Sequence, residues 1–170
     1  MNHILVAYFS RTGENYNVGN ITKGNTAVVA ETISEYMCAD LFEIKPVNKY
    51  PDDYMECIET AKNEKFANAR PEFIGDIDID KYNIIFIGYP NWWGDMPMVV
   101  YTFLERYDFS DKTIIPFCTH EGSGIGPTPD YIKKVCPKAK LLNGIAIEGH
   151  KANISKNQIK DWVCGLEILG

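Results

Sequence analysis

The feature that most restricts this chain is an alternation of short, continuously apolar runs with segments of helical periodicity. "HILVAYF" is β-branched and aromatic without polar alternation, which predicts a strand buried on both faces. "LFEIKPV" is a second strand ending at Pro46, followed by "NIIFIGYP", "KTIIPFCT" and "KLLNGIAIEG". Helical stretches separate them. "NTAVVAETISEYM" places Val29, Ile33, Tyr36 and Met37 at helical spacing, and Asp53 and Glu56 form a D-x-x-E start to "YMECIETAKNEKF". "MVVYTFLERY" is helical, "DYIKKVC" begins near Pro127 and Pro129, and "SKNQIKDWVCGLEIL" closes the chain with Ser155 and Gln158 as a capping box. "ANARPEFIGDIDIDKY" reads as a loop.

Strand and helix alternate five times, with no linker, repeat or low-complexity region. That pattern predicts a single α/β domain over residues 1–170, a doubly wound parallel sheet with helices on both faces. Pro116 conflicts with a central strand, because it brings no N–H to the ladder. Either the strand is bulged there or its register differs.

Composition narrows the function classes. With 45% hydrophobic and 24% charged residues the chain is globular, and a net charge of −6 excludes nucleic acid as the default partner. "MNHILVAYFS" lacks the basic region and apolar run of a signal peptide, and no stretch approaches the roughly 20 apolar residues of a membrane span, so a cytoplasmic protein without membrane attachment is expected. Five scattered cysteines with no zinc spacing fit reduced thiols.

In such a sheet ligands bind beyond the carboxyl ends of the strands. The loops there hold S-R-T-G…G-N-T, P-N-W-W-G-D-M-P and T-H-E-G-S-G-I-G-P. In the first, Ser10, Thr12, Asn25 and Thr26 are short polar donors, and Gly13 and Gly24 allow tight turns. Between a strand and a helix N-terminus, such residues enclose a phosphate; the plainer alternative is a polar turn with a Thr or Asn cap. No G-x-x-x-x-G-K-[ST] is present, and "GSGIG" does not complete a dinucleotide fingerprint. Trp92 and Trp93 cannot both point inward from a loop bounded by Pro90, Gly94 and Pro97, so at least one forms part of a surface or pocket wall suited to a flat aromatic ring. Thr119 and Ser123 offer polar groups to that ring's edge, while His120 reads as an exposed loop histidine and His3 and His150 carry no signal. A phosphate cradle, an aromatic wall and a polar edge describe a flat phosphorylated cofactor, and flavin mononucleotide (FMN) meets that description.

With these three motifs in order, nearly the whole chain resembles the flavodoxin family, especially small members with S-R-T-G-N-T and W-W-G motifs. The resemblance implies a five-stranded parallel sheet of order 2-1-3-4-5 and non-covalent FMN. It implies that Ser10, Arg11, Thr12, Asn25 and Thr26 bind the phosphate, with Gly13 in the same loop. Pro90, Asn91, Trp92, Trp93 and Gly94 would line one side of the flavin ring, and Thr119, Gly122, Ser123 and Gly124 the other, with His120 and Glu121 between them.

Three departures stand out. Residues 14–24 are inserted in the phosphate loop, where connections usually run about 2–6 residues. Lengthening a surface loop costs only about 0.6 kcal/mol per doubling, so the cradle survives, and "ENYNVGNITKG" folds over the flavin, meets a neighbouring subunit or is a plain surface loop. Arg11 and Lys23 bring cations, for the FMN phosphate or for a second nucleotide such as NADPH. Glu121 stands where a small residue is usual, and with Asp95 it would oppose the negative charge gained on flavin reduction. One carboxylate about 8 Å away at an effective dielectric near 20 would contribute roughly 2 kcal/mol.

The expectation is therefore an FMN electron carrier serving redox partner proteins or small-molecule donors and acceptors, with no catalytic acid, base or metal. The alternative is an NAD(P)H-dependent reductase of quinones or related aromatics on the same fold. A flavin-less binding module is a third reading; a receiver-type domain is disfavoured because "FSRTG" lacks its acidic pair. The oligomeric state is left open.

Overall fold

Strand β1 (Ile4–Tyr8) is buried at every position, and its side chains alternate between two cores. Leu5 and Ala7, with Phe9 just beyond, face one side; Ile4, Val6 and Tyr8 face the other. This period of two, apolar in both phases, is what a strand covered on both faces requires. Helices α1 (Asn25–Met37) and α5 (Lys156–Gly165) cover one face through Val29, Ile33, Ile159 and Val163. Helices α2 (Tyr54–Phe66), α3 (Met98–Arg106) and α4 (Thr128–Val135) cover the other through Cys57, Val99, Phe103 and Ile132. The computed structural model describes residues 3–15 and 19–168.

The main sheet runs β4 (Asp40–Glu43), β1, β5 (Ile84–Pro90), β6 (Thr113–His120), all parallel. Two short strands, β7 (Lys140–Leu141) and β8 (Ile145–Glu148), follow one another along the far edge of β6. The order is the 2-1-3-4-5 expected for the flavodoxin fold, with a sixth strand because the fifth is divided.

Pro116 accounts for the division. The Ile114 carbonyl accepts from Leu142 N (3.0 Å), so the polar groups of Ile114 and, two residues on, Pro116 face this last strand. The missing N–H therefore falls opposite the gap between β7 and β8. Register confirms the extra residue: Thr113 pairs with Lys140 but Phe117 with Ile145, so four steps on β6 match five on its partner. The ladder to β5 is unbroken through Ile87↔Pro116. Strand β6 is therefore not bulged at Pro116; the extra residue lies in its neighbour, between β7 and β8.

One helix start meets the expectation and another departs from it. Asp53 does cap α2, its Oδ1 accepting from Glu56 N at 2.9 Å. Ser155 does not form the capping box with Gln158: its Oγ donates to the Lys151 carbonyl (2.7 Å), and its backbone (φ −94°, ψ 10°) lacks the extended form of a capping serine. A 3-10 turn, Gly149–Ile154, leads directly into α5 and takes that hydroxyl. The insertion forms an antiparallel hairpin, β2 (Gly13–Asn15) with β3 (Gly19–Ile21), separate from the main sheet. Its tip, residues 16–18, lies outside the described residues.

No helix among the described residues is long and apolar enough to cross a membrane.

Candidate functional site

Helix α1 begins without a side-chain cap of its own: Gly24 is its N-cap. The acceptor comes instead from Ser10, at the end of β1, whose Oγ takes the Ala27 N–H at 3.0 Å. Ala27 is the third helical residue, one of the positions an N-cap side chain serves. A Cβ on Gly24 would lie 1.9 Å from Ser10 Oγ and 2.7 Å from the Arg11 carbonyl, so only glycine allows this arrangement. The first turn of α1 carries no acidic residue, leaving its positive dipole end uncompensated by the helix itself. Thr26 Oγ1 and Thr119 Oγ1, both buried, are 2.7 Å apart and tie this turn to the end of β6.

A cavity of about 350 Å³ opens here, over the carboxyl ends of β1, β5 and β6. Of the residues singled out from sequence, Arg11, Asn25, Thr26, Pro90, Asn91, Trp92, Trp93, Thr119, His120, Glu121 and Ser123 line it. Ser10, Thr12, Gly13, Gly94, Gly122 and Gly124 stand outside the wall. Ser10 is occupied as a cap, Thr12 is exposed, and Gly13 starts the hairpin. Gly94, Gly122 and Gly124 shape the loops: Gly94 N donates to Asn91 Oδ1 (3.0 Å), Gly122 N to His120 Nδ1 (2.9 Å), and the Gly124 carbonyl accepts from Asn91 Nδ2 (2.8 Å). Asn91 thereby joins the second loop to the third.

Sequence reasoning missed one whole wall. Tyr54, Cys57, Ile58 and Ala61 of α2 line the cavity, as does Gly149. The helical spacing of these four puts them on one face of α2, but nothing in the sequence says that this face borders a cavity beside the sheet. Arg11 brings α2 into place. Its Nη2 donates to the Pro51 and Asp52 carbonyls, both at 3.0 Å, in the loop that leads into the helix. Burial raises the Cys57 thiol above its ordinary pKa, the neighbouring Arg11 guanidinium opposing the shift, so a thiol is present at neutral pH. Lys23 pairs with Glu31 (2.6 Å) on the exposed side of α1, outside the cavity wall.

Both tryptophans line the cavity, but they differ in exposure. Trp92 is half-buried, edge-on to Phe9 (5.1 Å) and Tyr50 (5.0 Å). Trp93 is 50% exposed. It occupies a tight turn in which Trp92 and Asp95 exchange backbone hydrogen bonds (2.9 and 3.1 Å). Both central residues have positive φ, 56° at Trp93 and 72° at Gly94. Left-handed backbone is unfavourable for a residue as bulky as tryptophan. Helix α2 holds it: Trp93 Nε1 donates to the Ile58 carbonyl (3.1 Å), Lys65 Nζ to the Trp93 carbonyl (2.6 Å), and Lys62 Nζ lies 5.8 Å from the ring centroid.

Asp95 does not face the cavity. Its Oδ1 accepts from Met96 N (2.7 Å) and the Tyr101 hydroxyl (2.6 Å), and Lys65 lies 3.9 Å from Oδ2. Burial and Asp95 together raise the pKa of Tyr101. The expected pair of carboxylates at the site is thus reduced to Glu121. That residue is clamped by the turn after β8: Oε1 accepts from His150 N (2.9 Å) and Oε2 lies 2.8 Å from His150 Nδ1. His150, silent in the sequence, is the partner of the one carboxylate lining the cavity among the described residues.

Gly13, Gly19 and Ile21 of the hairpin lie outside the cavity wall, and the hairpin base packs against the Asp52 loop.

Comparison with known proteins agrees with this architecture. A candidate flavoprotein of Bacteroides uniformis superposes with a TM-score of 0.79 at 28% identity, over 96% of this chain and 98% of that one. One of Bacteroides eggerthii gives 0.73 at 29% identity, over 94% and 98%. A Lactobacillus acidophilus flavoprotein, solved in complex with FMN, shares the fold with a TM-score of 0.68 at 20% identity, over 91% and 98%. Among curated proteins no sequence matches. The family profile described as Flavodoxin matches residues 3–166, and the chain belongs to the flavodoxin family.

Proposed function

We propose that the cavity holds FMN and that the protein passes electrons between redox partners. One observation carries this reading: a phosphate-type cradle and an aromatic wall share a single cavity at the strand ends of a flavodoxin sheet. The residues present fit the group. The cradle has the amino end of α1, whose first turn carries no acid of its own, and the cation of Arg11, while Trp93 and the α2 face supply a flat apolar wall. The volume lies in the range of about 300–1,000 Å³ usual for small-ligand sites. The solved flavoprotein–FMN complex on the same fold agrees with it.

When bound, FMN supplies the redox centre. The chain's own residues bind and orient it. Asn25, Thr26 and the first turn of α1 take the phosphate, with Ser10 holding that turn in place. Arg11, tied to the Pro51–Asp52 carbonyls, presents its charge while fixing α2. Trp92 is committed to Phe9 and Tyr50, so Trp93 is the indole open to a ring.

Titrating the apoprotein with FMN tests the binding. Trp93→Ala is expected to weaken it about threefold to tenfold with little loss of stability. Trp92→Ala should chiefly lower the melting temperature; equal effects of the two on affinity would remove the assignment. Stepwise reduction then tests the role: two resolved one-electron steps support the carrier. The apolar α2 wall favours a second reading, an NAD(P)H-dependent reductase of aromatics. A single two-electron step with steady NAD(P)H oxidation by a quinone would select it, and no FMN binding would discard both.

A further inference from the structure

Glu121 is a carboxylate placed beside a site that takes an anion. Its Oε1 and Asn25 Nδ2 approach one another across Gly149, where an added Cβ would be 2.5 Å from each. Asn25 is the first residue of α1, so this negative charge sits at the same helix end that receives the phosphate. The side chain is 13% exposed, which leaves little water to screen it. Left alone, it would oppose phosphate binding.

It is not left alone. His150 reaches Glu121 with backbone N and with Nδ1, and its Nε2 lies 3.3 Å from Glu148 Oε2. Both ring nitrogens therefore face carboxylate oxygens, and only the doubly protonated ring donates to both at once. Neutral imidazole can serve one of them and carries no charge to offset either. Glu148 has a second partner in Lys151 Nζ at 2.7 Å; among the described residues the ion-pair partner of Glu121 is His150, a cation when its ring is protonated. Among the described residues, the carboxylates paired with His150 are Glu121 and Glu148. Lys151 and His120 also act on Glu148, and α1 presents the neutral Asn25.

We propose that His150 is a positioning residue whose proton sets the affinity of the cradle for phosphate, by offsetting Glu121 when the ring is charged and releasing that charge when it is neutral. The inference rests on the FMN reading above. The sign follows: protonated His150 accompanies tighter binding, so affinity falls as pH rises. The FMN phosphate gains negative charge over the same range, so variants are compared at equal pH, where the ligand carries the same charge for each.

The test measures FMN dissociation constants between pH 5.5 and 8.5 for the wild type, His150→Arg and His150→Gln, with riboflavin, which lacks the phosphate, as the parallel ligand. Arginine fixes the cation and glutamine removes it. The wild type is expected to follow His150→Arg in acid and His150→Gln in alkali, its constant relative to the arginine variant rising about tenfold across the range. The riboflavin ratios should stay flat. Adding Glu121→Gln to His150→Gln should restore tight binding at pH 8.5, which loss of a merely structural clamp would not allow. A pH-independent ratio between wild type and His150→Arg overturns the proposal, as does an equal trend with riboflavin. Failure of the wild type to bind FMN at any pH overturns the function reading instead, and this inference with it.

Discussion

Gly88→Ala is expected to destabilise the fold by about 3 kcal/mol and to lower the melting temperature by about 10 °C. Gly88 lies in β5, between Tyr8 of β1 and Phe117 of β6. The Phe117 ring covers it so closely that a Cβ would fall 2.1 and 2.2 Å from ring carbons. Neither side can yield: Phe117 is fully buried, and β5 is hydrogen-bonded on both edges. The backbone at Gly88 is ordinary strand, so the effect is steric rather than conformational. Thermal unfolding checks the size, and Phe117→Leu checks the cause. In the double variant part of the loss should return, because the smaller side chain vacates the space. Strict additivity of the two substitutions would show that the clash is relieved elsewhere.

Gly24→Ala is expected to weaken FMN binding about 100-fold while costing about 2 kcal/mol of stability. Its φ of −64° is open to any residue, so again the constraint is contact, here with Ser10 Oγ and the Arg11 backbone. The new methyl must displace the Ser10 side chain, which removes the acceptor of Ala27 N, and push the 10–11 backbone away from α1. Both halves of the cradle then separate. Ser10→Ala alone loses the cap without the displacement and should cost no more than about tenfold in affinity. FMN titration beside chemical denaturation separates the two quantities. Wild-type affinity in Gly24→Ala would mean that the phosphate is held elsewhere.

Much of this architecture is legible in the sequence because it depends on local periodicity. The continuous apolar strands, the bounds of α1 and α2 and the Asp53 cap all follow from residues next to one another in the chain. What stayed hidden depends on partners far apart. Ser10 caps a helix that starts after an eleven-residue insertion, residues 14–24, and a glycine N-cap gives no hint of it. The α2 wall meets the first loop through Arg11, which ties to the Pro51 and Asp52 carbonyls some forty residues on. His150 follows the last strand and meets Glu121 solely because β8 lies parallel to β6, with Glu148 opposite His120. Ser155 shows the converse failure. Its capping-box spacing is correct, yet a preceding 3-10 turn had already taken the hydroxyl.

The hairpin between Gly13 and Ile21 has a consequence for how this loop can change. Its neck is closed twice, by the Gly13↔Ile21 pair and by Ser10 Oγ on Ala27 N, so the contacts that shape the start of α1 are made by residues outside the 15–19 stretch. A segment attached in this way behaves as a graft point. Sequence can be added, exchanged or trimmed beyond Asn15 and Gly19 at the small entropic cost of a longer loop, while the helix end and its serine keep their geometry. The connection between β1 and α1 thus has, within it, a place where new surface can be built while the Ser10–Ala27 contact is kept.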